Sequence, residues 1–535
     1  MDCDLALYVA IHSPIIYASG HPITFDRVVR PSARWRGHAS ARADRANRPH
    51  SRARVPARAP SDARRRARAR PRRMSARESD RGSDRGSDDD DACSWRSTRS
   101  VVDDLRARPS DVSAVDARGV SVRVTSHRRG RFGRRSRSSR SLVEYVNAAS
   151  EAEAQELATR AREACGLEGE RRDGRRMLAI VNPASGKGCG ERIWEQKARG
   201  VLEGAGVTCE ARVTREPGEA TEIARGVDLS GYDGVVVVGG DGTVAEVFQG
   251  LCERADAAEV RSRITLGIVP AGSGNALCKS IQAEGDEPCD PVSCALTIAR
   301  GLTCNLDRCE VRFLDPETGT WSEKKKTHSL LSTSWGFFSD VDIESERFRR
   351  FGGARFTMQA IVRIVARRKY SCELLYEATP DGDAHNAQGM DGVPGEPVPE
   401  RPGWRRISGE TLGLWALNVP WGTENTLAAP RAVFDDGSID IILVQATARR
   451  HMLKLLLDFD SGAHVAHRAV QYFKAKSFEL YPGPSSNAKA GGFIAVDGEV
   501  AAQRHDPAPS MSPYGPLRCD VIRAGVRFFA PRTSD

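Results

Sequence analysis

The sequence lacks several features that define common protein classes. No apolar run in its 535 residues approaches the roughly 18 residues of a membrane-spanning helix, and Asp2 and Asp4 stand where a secretory leader would be basic. Its 13 cysteines form no C-x-x-C pair and no Cys/His ligand spacing, which argues against a zinc site and a disulfide framework. We therefore expect a cytoplasmic protein with reduced thiols, and any membrane contact should be peripheral.

Lysine is absent before Lys187. Residues 27 to 73 hold 17 Arg and 2 Asp, which contribute +15 to the formal net charge of +9, so the other residues sum to about −6. Residues 1–92 are predicted to be a disordered Arg-rich tail, because they can bury too little apolar area to offset the ordering entropy. An organellar transit peptide and an anion-binding arm are the alternatives. Since the folded remainder is mildly acidic, nucleic acid is not an expected partner.

Three segments with different patterns follow this tail. Residues 93–172 contain short alternating strands and end in a helical stretch, which predicts a small β domain. Residues 173–303 alternate short apolar runs with helical patterns, as expected for a three-layer α/β domain with a parallel sheet. Residues 304–535 are rich in β-patterned runs and predict a mostly antiparallel β-sandwich domain.

The strongest chemical signal is GVVVVGGDGTVAEV at 234–247, where a buried strand ends in glycines and a helix follows. Glycines allow backbone N–H groups to approach a phosphate, and a helix N-terminus favours negative charge. Asp241 interrupts this cradle, which does not fit the dinucleotide G-x-G-x-x-G fingerprint. A carboxylate beside phosphates can accept the proton of an attacking hydroxyl. A capping Asp in a plain turn is the alternative.

Two further loops have the same character, NPASGKG at 182–188 and PAGSGNALC at 270–278, and each follows an apolar strand. Because ligands of parallel sheets bind beyond the carboxyl ends of the strands, the three loops predict one phosphate-binding mouth. NPASGKG lacks the spacing and the Ser/Thr of a P-loop, which disfavours a Walker-type NTPase. Taken singly, either loop could be a plain turn.

Together the three loops resemble the diacylglycerol kinase catalytic superfamily, which includes sphingosine, ceramide and bacterial lipid kinases. The segment LSTSWGFFSDVDIESERFRRFGGARFT at 331–357 is similar to the part that distinguishes sphingosine kinases, and APRAVFDDGSIDIILV at 429–444 also resembles the superfamily. The resemblance implies an α/β nucleotide-binding domain at 173–303 and a β-rich lipid-binding domain at 304–535 that completes the active site. It places a pleckstrin-homology-like segment at 93–172. The implied reaction is ATP-dependent phosphorylation of the primary hydroxyl of a sphingoid base, with Mg²⁺ as cofactor.

The resemblance also implies which residues form the site. Asp241 is the expected base, and Asp342 is expected to hold the amine and hydroxyl of the lipid, since a cationic head group needs an anion. The residues expected to bind the lipid are Gly240, Asp241, Ser332, Asp342 and Glu346. The residues expected to bind ATP are Asn182, Pro183, Ala184, Ser185, Gly186, Lys187, Thr214, Gly239, Gly240, Gly242, Glu246, Gly272, Ser273, Gly274, Arg349, Arg355, Asp497, Gly498 and Glu499.

Several of these positions allow a second interpretation. Asp342, Glu346 and Arg349 have the spacing of one helical face, which an ion-paired surface helix would also explain. The DGE at 497–499 could contact nucleotide hydroxyls or Mg²⁺, or it could be a hairpin turn. The amphipathic runs at 356–368 and 451–459 could line a lipid pocket, meet an anionic membrane or simply pack in the core.

Three other functions compete with a sphingoid-base kinase. A ceramide or diacylglycerol kinase would act on a head group without a free amine, which leaves Asp342 no cation to meet. An NAD kinase also carries GGDGT, although the DGE and the 331–357 segment speak against that assignment. A catalytically silent lipid-binding module would have no need of Asp241 and the three intact loops. The sequence does not indicate an oligomeric state or specific Mg²⁺ ligands.

Overall fold

The computed structural model describes residues 112–118, 121–126, 142–147, 150–164, 174–351, 353–366, 368–379, 394–485, 492–504, 511–512 and 514–532. The predicted disordered tail at 1–92 lies outside the described residues, as do parts of the predicted small β domain.

The first described elements are three antiparallel strands, β1 (Val112–Arg118), β2 (Ser121–Ser126) and β3 (Leu142–Asn147), in the order β1-β2-β3. Helix α1 (Glu151–Ala164) follows and packs against β1 and β2. It buries Ala154, Leu157 and Ala158, which are spaced for one helical face. Strands followed by one helix match the expected order, and the pleckstrin-homology-like assignment stays a prediction.

Residues 176–300 form an α/β half. Its parallel strands are β4 (Arg176–Val181), β5 (Thr208–Val213), β6 (Gly234–Gly239) and β7 (Thr265–Pro270), in the order β7-β6-β4-β5. The helical segments between β4 and β5 are α2 (Ser185–Gly188), α3 (Gly190–Ile193), a π-turn (Trp194–Ala198) and α4 (Arg199–Gly204). The remaining helices are α5 (Glu219–Gly226), α6 (Asp241–Cys252), α7 (Ala257–Arg263), α8 (Ala276–Ala283) and α9 (Pro291–Arg300).

The two faces of this parallel sheet bury alternate residues of the same strands. Leu178 and Ile180 of β4 belong to one apolar core, together with α5, α6 and α8. Met177, Ala179 and Val181 belong to the core on the opposite face, which includes α4 and α9. This period of two, with helices on both sides, confirms the predicted three-layer architecture.

Residues 303–529 form a β-rich half. Its strands are β8 (Thr303–Phe313), β9 (Thr327–Ser329), β10 (Ser332–Gly336), β11 (Tyr370–Ala378), β12 (Glu396–Pro397), β13 (Trp404–Leu417), β14 (Ile439–Gln445), β15 (Val470–Ser485), β16 (Phe493–Val496), β17 (Glu499–Gln503) and β18 (Leu517–Phe529). All pairings among these strands are antiparallel, and their inward side chains enclose a separate core with Trp335, Tyr376 and Phe478. The helical elements are α10 (Phe337–Glu344), a 3-10 segment (Ser345–Phe351), α11 (Ala354–Ala366), α12 (Arg449–Asp458) and a 3-10 turn (Ala463–Ala466).

The two halves share one 15-stranded sheet. Strand β18 pairs with β15 and β8 in the β-rich half and, over Arg527 and Phe528, runs parallel to β7 of the α/β half. Strand β18, near the C-terminal end of the described chain, therefore makes the sheet continuous between the two halves. None of the helices in the described part of the chain is long and apolar enough to cross a membrane.

Candidate active site

Three loops meet at one edge of the parallel sheet. They follow β4, β6 and β7, which are neighbours in the sheet. Backbone hydrogen bonds join them: the Ala271 N–H donates to the Gly239 carbonyl at 2.8 Å, and the Asn182 N–H donates to the Val238 carbonyl at 3.0 Å. The Asn182 side chain also donates to Thr243 Oγ1 at 3.0 Å. The loops predicted to form a phosphate-binding mouth are therefore in direct contact.

Glycine is required where these loops approach most closely. A Cβ on Gly272 would lie 2.5 Å from the Cα of Gly240, which is well inside contact distance. Gly186 has φ +61° and packs against the carbonyl of Ala271, so a side chain there would be both strained and obstructed. The other loop residues predicted to bind ATP lie at the same edge: Pro183, Ala184, Ser185, Lys187, Gly242, Ser273 and Gly274.

Asp241 is the first residue of α6 and is held by the third loop. Its Oδ2 accepts the Ala276 N–H at 3.0 Å and its Oδ1 accepts the Leu277 N–H at 3.1 Å, so the carboxylate caps the N-terminus of α8. Burial raises the pKa of Asp241 to about 6, the two backbone N–H groups oppose this rise, and the nearby Asp497 adds to it. The residue as a whole is half-buried, and its carboxyl is the desolvated part. A carboxylate fixed in this way, with a pKa just below neutrality, has the properties of a general base.

Asp342 reaches the same place from the β-rich half. It lies in α10 within Coulombic range of Asp241, Glu499 and Arg355. Its Oδ2 lies 3.6 Å from the position that a Cβ on Gly498 would occupy. Burial raises the pKa of Asp342 to about 7; Arg355 lowers it, while Glu499 and Asp241 raise it. The structure thus brings together the predicted base and the predicted head-group carboxylate, although 101 residues separate them in sequence.

The single α-helix that would align Asp342 and Glu346 on one face is interrupted. Helix α10 ends at Glu344, and a 3-10 segment with non-helical φ/ψ at Phe348 continues from Ser345. The Ser345 hydroxyl donates to the Asp342 carbonyl at 2.7 Å, a local bond that competes with continued α-helix. Because a 3-10 helix has three residues per turn, the i, i+4 spacing no longer aligns Glu346 with Asp342.

In this segment, Glu346, predicted to bind the lipid, contacts Arg355, predicted to bind the phosphates. Glu346 is exposed and forms an ion pair with Arg355, whose guanidinium also lies 4.4 Å from the Phe356 ring centroid. Arg355 also lies close enough to Asp342 to lower its pKa. The side chain of Arg349 lies outside the described residues.

Asp497 has a structural role that the sequence analysis did not predict. It is buried, with 4% of its surface exposed, and its oxygens accept hydrogen bonds from the Ser329 hydroxyl and from the N–H groups of Leu330, Leu331 and Ser332 at 2.6 to 3.0 Å. Oδ1 accepts three of these hydrogen bonds and Oδ2 accepts the one from Leu330. Asp497 thus fixes the turn between β9 and β10, and so positions the buried Ser332. Its contact with the nucleotide stays a prediction.

Comparisons with known proteins agree with this arrangement. Residues 176–311 match the diacylglycerol kinase catalytic domain, and residues 418–513 match the YegS C-terminal NAD kinase beta sandwich-like domain. Sphingosine kinase 1 of Arabidopsis thaliana is 34% identical over 377 residues, which cover 67% of this chain and 76% of that protein. The chain belongs to the sphingosine kinase family.

Sphingosine kinase 1 of Homo sapiens is 32% identical over 341 residues, covering 61% of this chain and 86% of that protein. Sphingoid long chain base kinase 4 of Schizosaccharomyces pombe is 29% identical over 344 residues, covering 61% and 70% respectively.

In this member of the sphingosine kinase family, Glu499 is the exposed acidic residue of the DGE. Its Oε1 lies 2.8 Å from where a Cβ on Gly242 would be, so the carboxylate packs against the first turn of α6. Gly498 adopts φ +85° beside it. Within the described ranges, no group of three or more His, Cys, Asp or Glu side chains is arranged to hold a metal ion by itself. Mg²⁺ usually takes one or two carboxylates plus substrate phosphates, and carboxylates at this edge fit that mode.

Two more residues predicted to bind ATP in this sphingosine kinase family member, Thr214 and Glu246, hold backbone groups beside the loops. Thr214 follows β5 and is buried, and its N–H donates to the Val181 carbonyl at 2.9 Å. Glu246 lies in the second turn of α6 and accepts the backbone N–H groups of Gly218 and Ala220, which caps α5. Burial raises the pKa of Glu246. Both residues stabilise the loop edge through backbone contacts.

Sequence reasoning missed two supporting residues. Asn275 adopts φ +48° and exchanges hydrogen bonds with Gly272 in both directions, at 3.0 and 3.1 Å, which shapes the third loop. The tolerance of Asn for left-handed backbone could have indicated this role. Asp340, two residues before Asp342 in α10, is buried and pairs with Arg368 and Tyr370. No local spacing pattern signals that second cluster, because its partners lie some 30 residues downstream.

Proposed function

We propose that this protein transfers the γ-phosphoryl group of ATP to the primary hydroxyl of a sphingoid long-chain base. The observation that carries the proposal is the approach of Asp342 to Asp241 at the edge where the three glycine loops meet. One carboxylate is suited to the acceptor hydroxyl and the other to a cationic group nearby. The names of the relatives, sphingosine kinases and a sphingoid long chain base kinase, support the same substrate class.

Asp241 acts as the base in this proposal. Its two hydrogen bonds to α8 fix the direction of the carboxylate, and with a pKa of about 6 it is mostly ionised at neutral pH. The lipid hydroxyl oxygen attacks the γ-phosphorus, the bond to the β–γ bridging oxygen breaks, and ADP leaves. The hydroxyl proton passes to Asp241.

Asp342 holds the amine of the lipid. Its pKa is about 7, because desolvation and two neighbouring carboxylates raise it by more than Arg355 lowers it, so the ionised form is only partly stabilised in the free protein. An ammonium group would lower that pKa and form a charge-assisted hydrogen bond. Ceramide and diacylglycerol carry no such cation, and for this reason the free-amine bases are the preferred substrates in this proposal.

The three loops bind the ATP phosphates through backbone N–H groups, with Arg355 as the cationic partner. Arg355 is mostly buried, with 11% of its side chain exposed, and pairs with the exposed Glu346, so its guanidinium is held at this site and can turn from that carboxylate to a phosphate. Glu499 is the protein carboxylate best placed to share a Mg²⁺ ion with the phosphates. When bound, Mg²⁺ neutralises charge on the transferred group.

Peripheral contact with an anionic membrane, from the cytoplasmic side, would deliver the lipid. Helix α11 exposes Val362 and Val365 at 42% and 61% of their surface, and Phe351 at the start of this region is 43% exposed. Helix α12 packs against α11 and carries Arg449 and Arg450. Apolar side chains next to basic ones are typical of such surfaces.

The proposal is tested by incubating the full chain with labelled ATP, Mg²⁺ and, separately, sphingosine, phytosphingosine, ceramide and diacylglycerol, followed by extraction of the lipids. We expect label on the two free-amine bases. The matched variant Asp342→Asn should raise KM for sphingosine by tenfold or more while KM for ATP stays within about twofold. Label on ceramide or diacylglycerol alone would keep the kinase and reject the substrate class.

A further inference from the structure

Three cysteines that lie apart in the sequence meet beneath the third glycine loop. Cys278 comes from α8, Cys294 from α9 and Cys289 from the connection between the two helices. The Sγ atoms of Cys278 and Cys294 are 3.4 Å apart, and Cys289 forms side-chain hydrogen bonds with both. All three are free thiols.

Part of this cluster has an ordinary explanation. Asp290 caps α9, so Cys289 and Cys294 stand at the positions before the cap and four residues after it, where an apolar pair commonly fixes the entry of a helix. Such a pair needs no third thiol. Cys278 is supplied by a different helix, and a small cavity of about 10 Å³ borders both Cys278 and Cys294.

The cluster is connected directly to the proposed base. Cys278 follows Ala276 and Leu277, whose backbone N–H groups hold the two oxygens of Asp241. Cys289 lies close enough to Asp241 for its charge to affect the pKa of that carboxyl. Any covalent change that moves the first turn of α8 therefore moves the donors that orient Asp241.

The three thiols are not equally accessible. Cys278 and Cys294 are buried, whereas Cys289 is partly exposed. The pKa of Cys289 is lowered, because it accepts hydrogen bonds from the other two thiols and lies near the Lys279 ammonium. An oxidant would therefore meet Cys289 first, in its nucleophilic form, with a buried thiol in contact to react next.

We propose that Cys289 and Cys278 form a redox-regulated pair whose disulfide lowers the activity of the kinase. The oxidant is a hydroperoxide. The Cys289 thiolate attacks its terminal oxygen, which gives the sulfenic acid and releases water or an alcohol. The Cys278 thiol then attacks the sulfenic sulfur and releases water, so two thiols lose two electrons and two protons. The disulfide draws α8 toward the connection and displaces the donors to Asp241.

The disulfide is tested first by peptide mapping, which does not depend on activity. The full chain is treated with hydrogen peroxide, alkylated without reduction and digested with trypsin. Cleavage after Lys279 separates Cys278, in 264–279, from Cys289 and Cys294, in 280–300. A second digestion, with a protease that cleaves on the N-terminal side of Asp, cuts before Asp290 and separates Cys289 from Cys294. We expect a disulfide between peptide 264–279 and the fragment ending at Cys289. A disulfide between any other two cysteines, or the absence of a disulfide, would overturn the pairing.

The effect on turnover is then measured with sphingosine and ATP, since this part rests on the proposed function. Peroxide should lower kcat tenfold or more in the wild type, and dithiothreitol should restore it. Cys289→Ser should keep its kcat within about twofold under the same treatment. Cys209→Ser is the matched control, because Cys209 is a similarly half-buried thiol in β5, and this variant should respond like the wild type.

The outcomes separate the two proposals. A mapped Cys278 to Cys289 disulfide in a protein that phosphorylates no lipid would reject the proposed function and leave the thiol pair. Active protein that forms the disulfide without losing turnover would reject the regulation. Equal loss of activity in Cys289→Ser and the wild type would assign the sensitivity to another residue.

Discussion

At the scale of single residues, Asp241 combines two roles that a substitution can separate. Its carboxylate caps α8 and is also the proposed base. Asp241→Asn keeps the shape but replaces one acceptor with an amide N–H that cannot bond the Leu277 or Ala276 donor. We expect kcat with sphingosine to fall by about 10² to 10⁴, the range of a general base, and this is measured by steady-state lipid phosphorylation.

A second capping aspartate provides the control for this prediction. Asp290 Oδ1 accepts the N–H groups of Val292 and Ser293 at the start of α9, so it makes the same kind of bonds without facing the loops. Asp290→Asn should change the free energy of unfolding by less than about 0.5 kcal/mol, because Asn caps helices about as well as Asp, with kcat within threefold of wild type. Equal loss of turnover in both variants would mean that Asp241 acts through capping alone.

The pH dependence of the reaction follows from the same carboxylates. The pKa values of Asp241 and Asp342, about 6 and about 7, lie above the usual values, so both groups take up protons as the pH falls through this range. Both must be ionised to bind the amine and to accept the proton. We expect log kcat/KM for sphingosine to fall with a slope of one below pH 7 and two below pH 6. In Asp342→Asn, the ionisation near pH 7 should disappear from the pH profile of log kcat/KM. An unchanged profile in that variant would contradict the assignment of this ionisation to Asp342.

At the scale of elements, the turn between β9 and β10 depends on one residue from a distant hairpin. Asp497→Ala would leave the N–H groups of Leu330, Leu331 and Ser332 buried without partners. Each unsatisfied group costs about 1–3 kcal/mol, so we expect the free energy of unfolding to fall by at least about 3 kcal/mol. Urea denaturation followed by circular dichroism measures this loss.

Glu499, two residues later in the same hairpin, is the matched control. It is exposed and packs against α6, so Glu499→Gln should change stability by less than about 0.5 kcal/mol. The same variant should raise KM for Mg²⁺–ATP severalfold if this carboxylate shares the metal. If Asp497→Ala leaves stability unchanged and weakens ATP binding, the main role of Asp497 is nucleotide binding and not support of the turn.

The elements show which parts of the site a sequence can predict. The three loops were predictable because each follows an apolar strand, and parallel strands bring their carboxyl ends to one edge. The prediction that Asp342 and Glu346 share one helical face failed, because the Ser345 hydroxyl donates to the Asp342 carbonyl and the α-helix gives way to a 3-10 segment at Ser345. The role of Asp497 and the contact of Cys278 with Cys289 come from long-range packing, which no local spacing encodes.

At the scale of the whole molecule, the active site depends on two halves that are held in register. Asp241 belongs to the α/β half and Asp342 to the β-rich half, while β18 hydrogen-bonds strands of both. A sheet that is continuous across the site fixes the separation of the two carboxylates more firmly than a linker would. We therefore expect the halves to unfold together, although 173–303 and 304–535 were predicted as separate domains.

Phe528 tests this coupling because it lies at the junction. It is fully buried, and it pairs with Leu266 of β7 on one side and Cys304 of β8 on the other. Its side chain belongs to the α/β core, so Phe528→Ala should lower stability by about 3–5 kcal/mol. Hydrogen exchange in increasing urea, followed by mass spectrometry, should show peptides from β6 and β13 losing protection at one shared, lowered midpoint. The exposed Phe351→Ala should leave that midpoint unchanged. A shift confined to β6 would mean that the halves unfold independently, and that the distance between Asp241 and Asp342 depends on contacts other than β18.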